Sequence, residues 1–206
     1  MLKLFKRTLF LLLAFPAINV LPQTQNPVNL GPVINTAARD AEPTFTADGQ
    51  TMYFNCFDRE GEKGSDICVS HLEGTDWGEP SIVWEVSTRE HLEVEPLLSP
   101  DGQQLYIMSN RPGGKGGMDI WVSDYVDGKW SSPTNLEAPI NSAYADHCLY
   151  FSGDDWEIAY WTSTRPGGFG GNDIWTSKRV DGVWQEAKNL GPKINTAASE
   201  HHSLPS

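Results

Sequence analysis

An all-β fold is what this sequence predicts: a β-propeller of four-stranded antiparallel blades, about three blades plus the start of a fourth, an incomplete ring. Three observations predict it. The first is self-similarity at one long period. Trp77, Trp130 and Trp184 recur at spacings of 53 and 54 residues, and Asp66, Asp119 and Asp173 recur at the same spacings. A period of that length marks a propeller or array built from one supersecondary unit. The second is the return of whole motifs. Glu42-Pro43 comes back as Glu95-Pro96, and Asp48-Gly49 as Asp101-Gly102. Asn29 to Thr36 comes back as Asn189 to Thr196, and more loosely as Asn135 to Ser142. The third is what fills each unit. Nothing after residue 26 carries a long apolar 3.6 period, while short β-branched and aromatic runs alternate with Gly and Pro.

The elements follow in order within the second unit. Pro96 to Ser99 reads as a strand entering the turn Pro100-Asp101-Gly102, where proline suits the second position and glycine accepts positive φ. Gln104 to Ser109 is the next strand. A glycine-rich loop, Arg111 to Gly117, precedes a third strand over Asp119 to Ser123, and Val126 to Trp130 turns the chain toward a fourth. Four strands in such a unit make a propeller blade. The units run over 29–84, 85–134 and 135–188, with a partial unit over 189–206.

These residues resemble the WD40-like propeller repeats of the TolB type found in bacterial envelope proteins. The resemblance is carried by Ser99-Pro100-Asp101-Gly102 with Leu105-Tyr106, by Ser109 to Gly114, and by Gly116-Gly117-Met118-Asp119-Ile120-Trp121. A third copy matches as Ser163 to Gly168 with Gly170 to Trp175, and the first is degenerate, with Asp58-Arg59 and Gly64 to Cys68. It covers roughly residues 29 to 206 and implies an accessory role in envelope assembly, with loops on one face meeting the partner. It does not imply a reaction, since propellers host unrelated activities. Three units and part of a fourth leave the ring short of the usual four to eight blades. A truncated family member, or a homodimer completing the ring, accounts for that.

Residues 1–22 read as a secretory signal peptide: Lys3, Lys6 and Arg7, then the apolar run Leu9 to Phe15, then Pro16 and Ala17. The run is too short to span a bilayer, so the expectation is a periplasmic or secreted chain over 23–206, not integral to a membrane; an uncleaved anchor is the alternative. Removing those three positive charges takes the formal net charge from −12 to −15. Such a surface repels phosphate backbones and excludes nucleic acid as a partner. An envelope protein, or a small ligand or glycan, remains.

Residues repeated in every unit build the blade, and residues present once are the better functional candidates. Arg111 with Asp119 and Arg165 with Asp173 bracket the glycine-rich loops, where each arginine is expected to bond the carboxylate. Trp77, Trp130 and Trp184 are expected to pack between blades, carbohydrate stacking being the sharper reading. In a four-stranded meander the segments entering each inner strand gather on the face that carries the glycine-rich loops. Glu42, His91, Glu95, Asp146, His147, Glu200 and His201 are therefore candidates for a binding site at the channel mouth. Imidazoles and carboxylates together suit a divalent transition ion or a basic peptide. No cofactor is required by the sequence; calcium or a transition metal is the alternative, although one carboxylate per glycine-rich loop is too few for calcium. Cys56 and Cys68 flank a hairpin loop and either form one disulfide or are small buried hydrophobes, as is Cys148. Gly153-Asp154-Asp155-Trp156-Glu157 replaces the plain Asp-Gly turn of the sister units. No Ser-His-Asp or Cys-His signature is present, so a non-enzymatic binding module is the expectation. A glycan-acting hydrolase with carboxylates at the channel mouth is its rival.

Overall fold

The computed structural model describes residues 27–59, 61, 64–153 and 155–201, so the expected signal peptide over 1–22 lies outside the described residues. Blade 1 comprises β1 (Asp40–Phe45), β2 (Thr51–Phe57), β3 (Ser65–Glu73), β4 (Asp76–Trp77) and β5 (Ser81–Ile82). Blade 2 comprises β6 (Glu93–Leu98), β7 (Gln104–Ser109), β8 (Asp119–Val126), β9 (Lys129–Trp130) and β10 (Thr134–Asn135). Blade 3 comprises β11 (Asp146–Ser152), β12 (Ile158–Ser163), β13 (Asp173–Val180), β14 (Val183–Trp184) and β15 (Lys188–Asn189). Each blade is an antiparallel meander whose outer strand is broken into two short pieces, both paired to the third strand. The fold is thus an all-β, incomplete propeller of four-stranded blades.

Local chemistry sets the turns. In blade 2 the Asp101 carboxylate accepts the Ser99 hydroxyl at 2.6 Å and the Gln103 N–H at 3.0 Å. Gly102 takes φ +70° to close the chain on the Ser99 carbonyl. Asp48 does the same work with Thr46 and Gln50 in blade 1. In blade 3 the Trp156 N–H donates to the Gly153 carbonyl at 3.2 Å, and Trp156 takes φ +53°.

Two apolar cores join the three blades. Tyr53, Ile67, Leu105, Ile107 and Trp130 belong to the core between blades 1 and 2, and Tyr106, Met108, Leu149 and Trp161 to that between blades 2 and 3. Fully burying a side chain such as Ile107 contributes roughly 1.5–3 kcal/mol. Of the period tryptophans, Trp130 reaches across a junction between blades, whereas Trp77 packs within its own blade. Trp130 donates its indole N–H to the Tyr53 hydroxyl at 3.3 Å across the first junction. Trp184 stacks on Phe151 at 5.8 Å, and Trp77 lies 5.9 Å from Phe45. Cys56 and Cys68 are joined by a disulfide between β2 and β3, with Cα atoms 5.8 Å apart. Cys148 lies outside that bridge, buried at the start of β11.

The repeated arginines have other partners than the sequence suggests. Arg111 pairs with Glu93 at 2.9 Å and Arg165 with Asp146 at 2.7 Å, and Arg59 makes the same pair with Asp40 at 3.0 Å. In each blade the guanidinium also reaches a linker carbonyl, of Ile34, Val86 or Ile140. The carboxylate in turn accepts a linker N–H, from Thr36, Thr88 or Ser142. The loop before Glu93 is one residue longer than its sisters, and the longer glutamate side chain spans the difference. At the start of the fourth copy the Thr196 hydroxyl donates to the Glu200 carboxylate, as the Thr36 and Ser142 hydroxyls do to Asp40 and Asp146.

Asp119 and Asp173 serve the glycine-rich loops instead. Asp119 accepts N–H groups from Lys115 and Gly116, and Asp173 accepts those of Phe169 and Gly170. Burial pushes the Asp119 carboxyl above its ordinary value, against the pull of those N–H bonds. A Cβ on Gly116 would fall 1.8 Å from the Tyr144 carbonyl, and one on Gly170 1.9 Å from that of Ala198. The glycine-rich loop of one blade therefore lies against the linker entering the next.

Candidate functional site

The three inner strands share one irregularity. Pairing shifts register between Ala41 and Thr44, between Val94 and Leu97, and between His147 and Tyr150. At each bulge one non-glycine residue adopts the left-handed conformation: Glu42 at φ 56°, Glu95 at φ 55° and Cys148 at φ 54°. Such residues are uncommon, cost roughly 1–3 kcal/mol each and concentrate at functional sites. The bulges line a central channel with Pro43, Thr44, Pro96, Leu97, Leu149 and Tyr150, a cavity of about 130 Å³.

Polar bonds chain the three bulges together. The Asn55 amide donates to Glu42 Oε2 at 3.0 Å and accepts the Glu95 N–H at 2.9 Å. Glu95 Oε2 then accepts the Cys148 N–H at 2.6 Å, while its Oε1 lies 3.5 Å from the Cys148 sulfur. The channel is acidic: burial raises the Tyr150 phenol above its ordinary value, and the charges of Cys148, Glu95 and Glu42 add to that.

Above the third bulge two imidazoles meet. The rings of His147 and His201 have centroids 5.6 Å apart, and Asn172 spans them, its Oδ1 at 3.2 Å from His147 Nε2 and its Nδ2 at 3.1 Å from His201 Nε2. His147 Nδ1 faces the Cys148 sulfur at 3.2 Å. One ligand atom from each of His147, Cys148 and His201 falls within 4.8 Å of the others.

The sequence-based rim thus divides. Glu42 and Glu95 line the channel, while His147 and His201 meet each other beside Cys148. Asp146 does not offer itself there: its carboxylate is fully buried in the Arg165 pair. Glu200 holds the equivalent place on Thr196, and His91 sits in the loop before β6, its N–H on the Thr88 hydroxyl. Cys148 was missed as a site residue. The signal was present, since Glu42, Glu95 and Cys148 stand 53 residues apart.

A second concavity lies between blades 2 and 3, about 340 Å³ in volume, lined by Asp101, Tyr106, Asp155, Trp156 and Arg179 among others. Trp156 stacks on Phe151 at 4.6 Å, and Arg179 donates to the Asp155 carbonyl at 3.0 Å. Burial pushes the Tyr106 phenol up to about 12, with Arg179 opposing and Asp124 and Asp101 reinforcing the shift.

No protein-family model matches the chain, and no curated protein matches it. Among solved structures it is similar to a protein assigned as TolB from Agrobacterium tumefaciens, at 19% identity and a TM-score of 0.54, over 81% of this chain and 55% of that one. The chain therefore spans about half the length of that relative. A puromycin-hydrolysing peptidase of Mycobacterium tuberculosis aligns at 16% identity and a TM-score of 0.47, over 73% of this chain and 22% of the peptidase. Prolyl oligopeptidase B of Galerina marginata aligns at 16% identity and 0.42, over 73% and 21%. At these identities the likeness concerns the fold alone, and the two peptidase alignments are too weak to carry an activity across. What the comparisons support is a propeller architecture with a TolB protein among its structural neighbours.

Proposed function

We propose that this chain is an exported, non-enzymatic propeller module of the bacterial cell envelope, which works by binding a protein or small ligand. The observation that supports this best is how the acidic residues near the channel are engaged. Asp40, Glu93 and Asp146 are held in ion pairs repeated from blade to blade. Glu42 and Glu95 hold the Asn55 amide and the Cys148 N–H. Acid–base chemistry on a glycan needs two carboxylates facing each other across a substrate. The channel, at about 130 Å³, is smaller than the roughly 300–1,000 Å³ of ordinary small-molecule sites. The inter-blade cleft at about 340 Å³ is of ligand size, and its aromatic and charged lining suits recognition of a polar group. Export rests on the basic-then-apolar start of the sequence.

The glycan-hydrolase reading has one observation in its favour, that Glu42 and Glu95 line the same channel. A panel of chromogenic glycosides assayed with the purified chain and with Glu95→Gln separates the two. The binding-module reading expects no turnover from either protein. Turnover by the parent that vanishes in Glu95→Gln would overturn it. Fractionation of cells making the full chain tests the location: recovery in the periplasm or medium, with a new amino terminus near Gln23, is expected.

A further inference from the structure

The channel mouth carries a cluster that blade construction does not explain. Where blades 1 and 2 have Ala41-Glu42 and Val94-Glu95, blade 3 has His147-Cys148, and His201 takes the register of His147 in the fourth copy. An imidazole, a thiol and a second imidazole thus replace residues that the architecture tolerates as Ala, Glu and Val. We infer that His147, Cys148 and His201 form a three-residue site for a borderline-soft divalent transition metal, zinc in the first instance.

The spacing fits. Zinc bonds of about 2.3 Å to sulfur and about 2.0–2.2 Å to nitrogen or oxygen, tetrahedrally arranged, put ligand atoms roughly 3.3–3.7 Å apart. Cys148 Sγ lies 3.2 Å from His147 Nδ1. His201 is exposed, so its ring has room to close the remaining separation, which is under 4.8 Å. Two nitrogens and a sulfur suit zinc, and exclude calcium and magnesium, which take oxygen ligands.

The groups behind the ligands are arranged for the same task. Asn172 Oδ1 can only accept a hydrogen bond, so its contact with His147 Nε2 favours the tautomer that leaves the Nδ1 lone pair facing the sulfur. The Thr162 hydroxyl lies 3.2 Å from that Nδ1, with the His147 carbonyl as an equally near acceptor to turn to. The Cys148 N–H fixes Glu95 through Oε2 and leaves Oε1 toward the sulfur. Ligand-holding groups of this kind are worth 10–100-fold in metal affinity. His147 and Cys148 come from the third unit and His201 from the fourth, so the ion ties two repeats together.

The test uses the full chain with Cys56–Cys68 oxidised, which leaves the Cys148 thiol as the sulfur ligand. Cobalt(II) at one equivalent is expected to give a near-ultraviolet sulfur-to-metal charge-transfer band, absent in Cys148→Ser. In competition with a chromophoric chelator, zinc affinity is expected to fall at least about tenfold in Cys148→Ser and His201→Gln, and about 10–100-fold in Asn172→Ala. Because His201 is exposed, His201→Gln reports on binding without disturbing the core, and zinc is expected to raise the melting temperature of the parent and not of this variant. No sulfur band, or zinc affinity equal to the parent's in both Cys148→Ser and His201→Gln, would overturn the site. None of these readouts depends on glycan turnover or on a partner, so the site and the binding-module reading fail separately.

Discussion

Blades 2 and 3 follow the same path, and they differ most where they face the channel. Both enter through a linker held by a buried acid and an arginine, Glu93 with Arg111 and Asp146 with Arg165. Both carry the same glycine-rich loop on an aspartate, Asp119 or Asp173. At the bulge, blade 2 has Val94-Glu95 and blade 3 has His147-Cys148, with φ 55° at Glu95 and 54° at Cys148. The difference teaches how to sort this molecule's polar residues. What recurs with the period is holding the blades together, and what changes on an unchanged backbone is available for a task.

That distinction breaks most readily at the arginine clamp. Arg165→Ala leaves Asp146 fully buried and uncompensated, and removes the donors to Pro139 and Ile140. Breaking one side of a buried pair costs about 3–5 kcal/mol, and urea unfolding is expected to show a loss of that size. Arg111→Ala, in the equivalent pair, is expected to match it. A loss under about 1 kcal/mol at both positions would mean that the period marks ancestry and not architecture.

The junction between the two blades gives the next effect. The Tyr106 phenol, buried there and bonded to Gln104, is raised from 10.0 to about 12 in the folded chain. A raised value favours the protonated form on folding. The stabilisation is therefore complete below pH 10 and is lost as the pH rises from 10 toward 12. Two units correspond to about 2–3 kcal/mol. Ultraviolet titration should find Tyr106 ionising last, and Tyr106→Phe should flatten the alkaline fall in stability.

A smaller loss is expected where the loop of one blade touches the linker of the next. A Cβ on Gly116 meets the Tyr144 carbonyl backbone, which cannot rotate away. Gly116→Ala should cost about 1–3 kcal/mol by overpacking. Gly117, with nothing near its Cβ position, serves as the control.

Much of this was legible in the sequence. The period, the Asp-Gly turns and the all-β runs report on local chemistry, and Gln104–Ser109 matches β7 residue for residue. The disulfide was open as one of two readings, because a hairpin loop brings its flanks together. The partners of Arg111 and Arg165 were not legible. Asp119 is nearer in sequence to Arg111 than Glu93 is, but pairing of β6 with β7 sets Glu93 opposite Ser109, beside the arginine. Sequence distance lost to sheet register. Cys148 was overlooked because a thiol reads as a small hydrophobe until the bulge is known to turn it toward the channel. The place of Trp156 in the inter-blade cleft depends on Phe151 and Arg179, which only the folded junction brings near.

The smallest effect sharpens the comparison furthest. Cys148→Ser keeps the backbone angle, the N–H bond to Glu95 and nearly the same volume, and puts a hydroxyl donor where the thiol faces Glu95 Oε1. In metal-free buffer its stability is expected to stay within about 1 kcal/mol of the parent, since none of the mechanisms behind large losses applies. The strain of the left-handed bulge is unchanged by the substitution, so it cancels from the difference. An exchange that leaves the fold untouched but removes metal binding would place Cys148 among the residues that vary for a task. A loss as large as that of Arg165→Ala would put the cysteine with the clamp, as part of the blade's construction, and the sorting of this molecule by repetition would then fail at its most informative position.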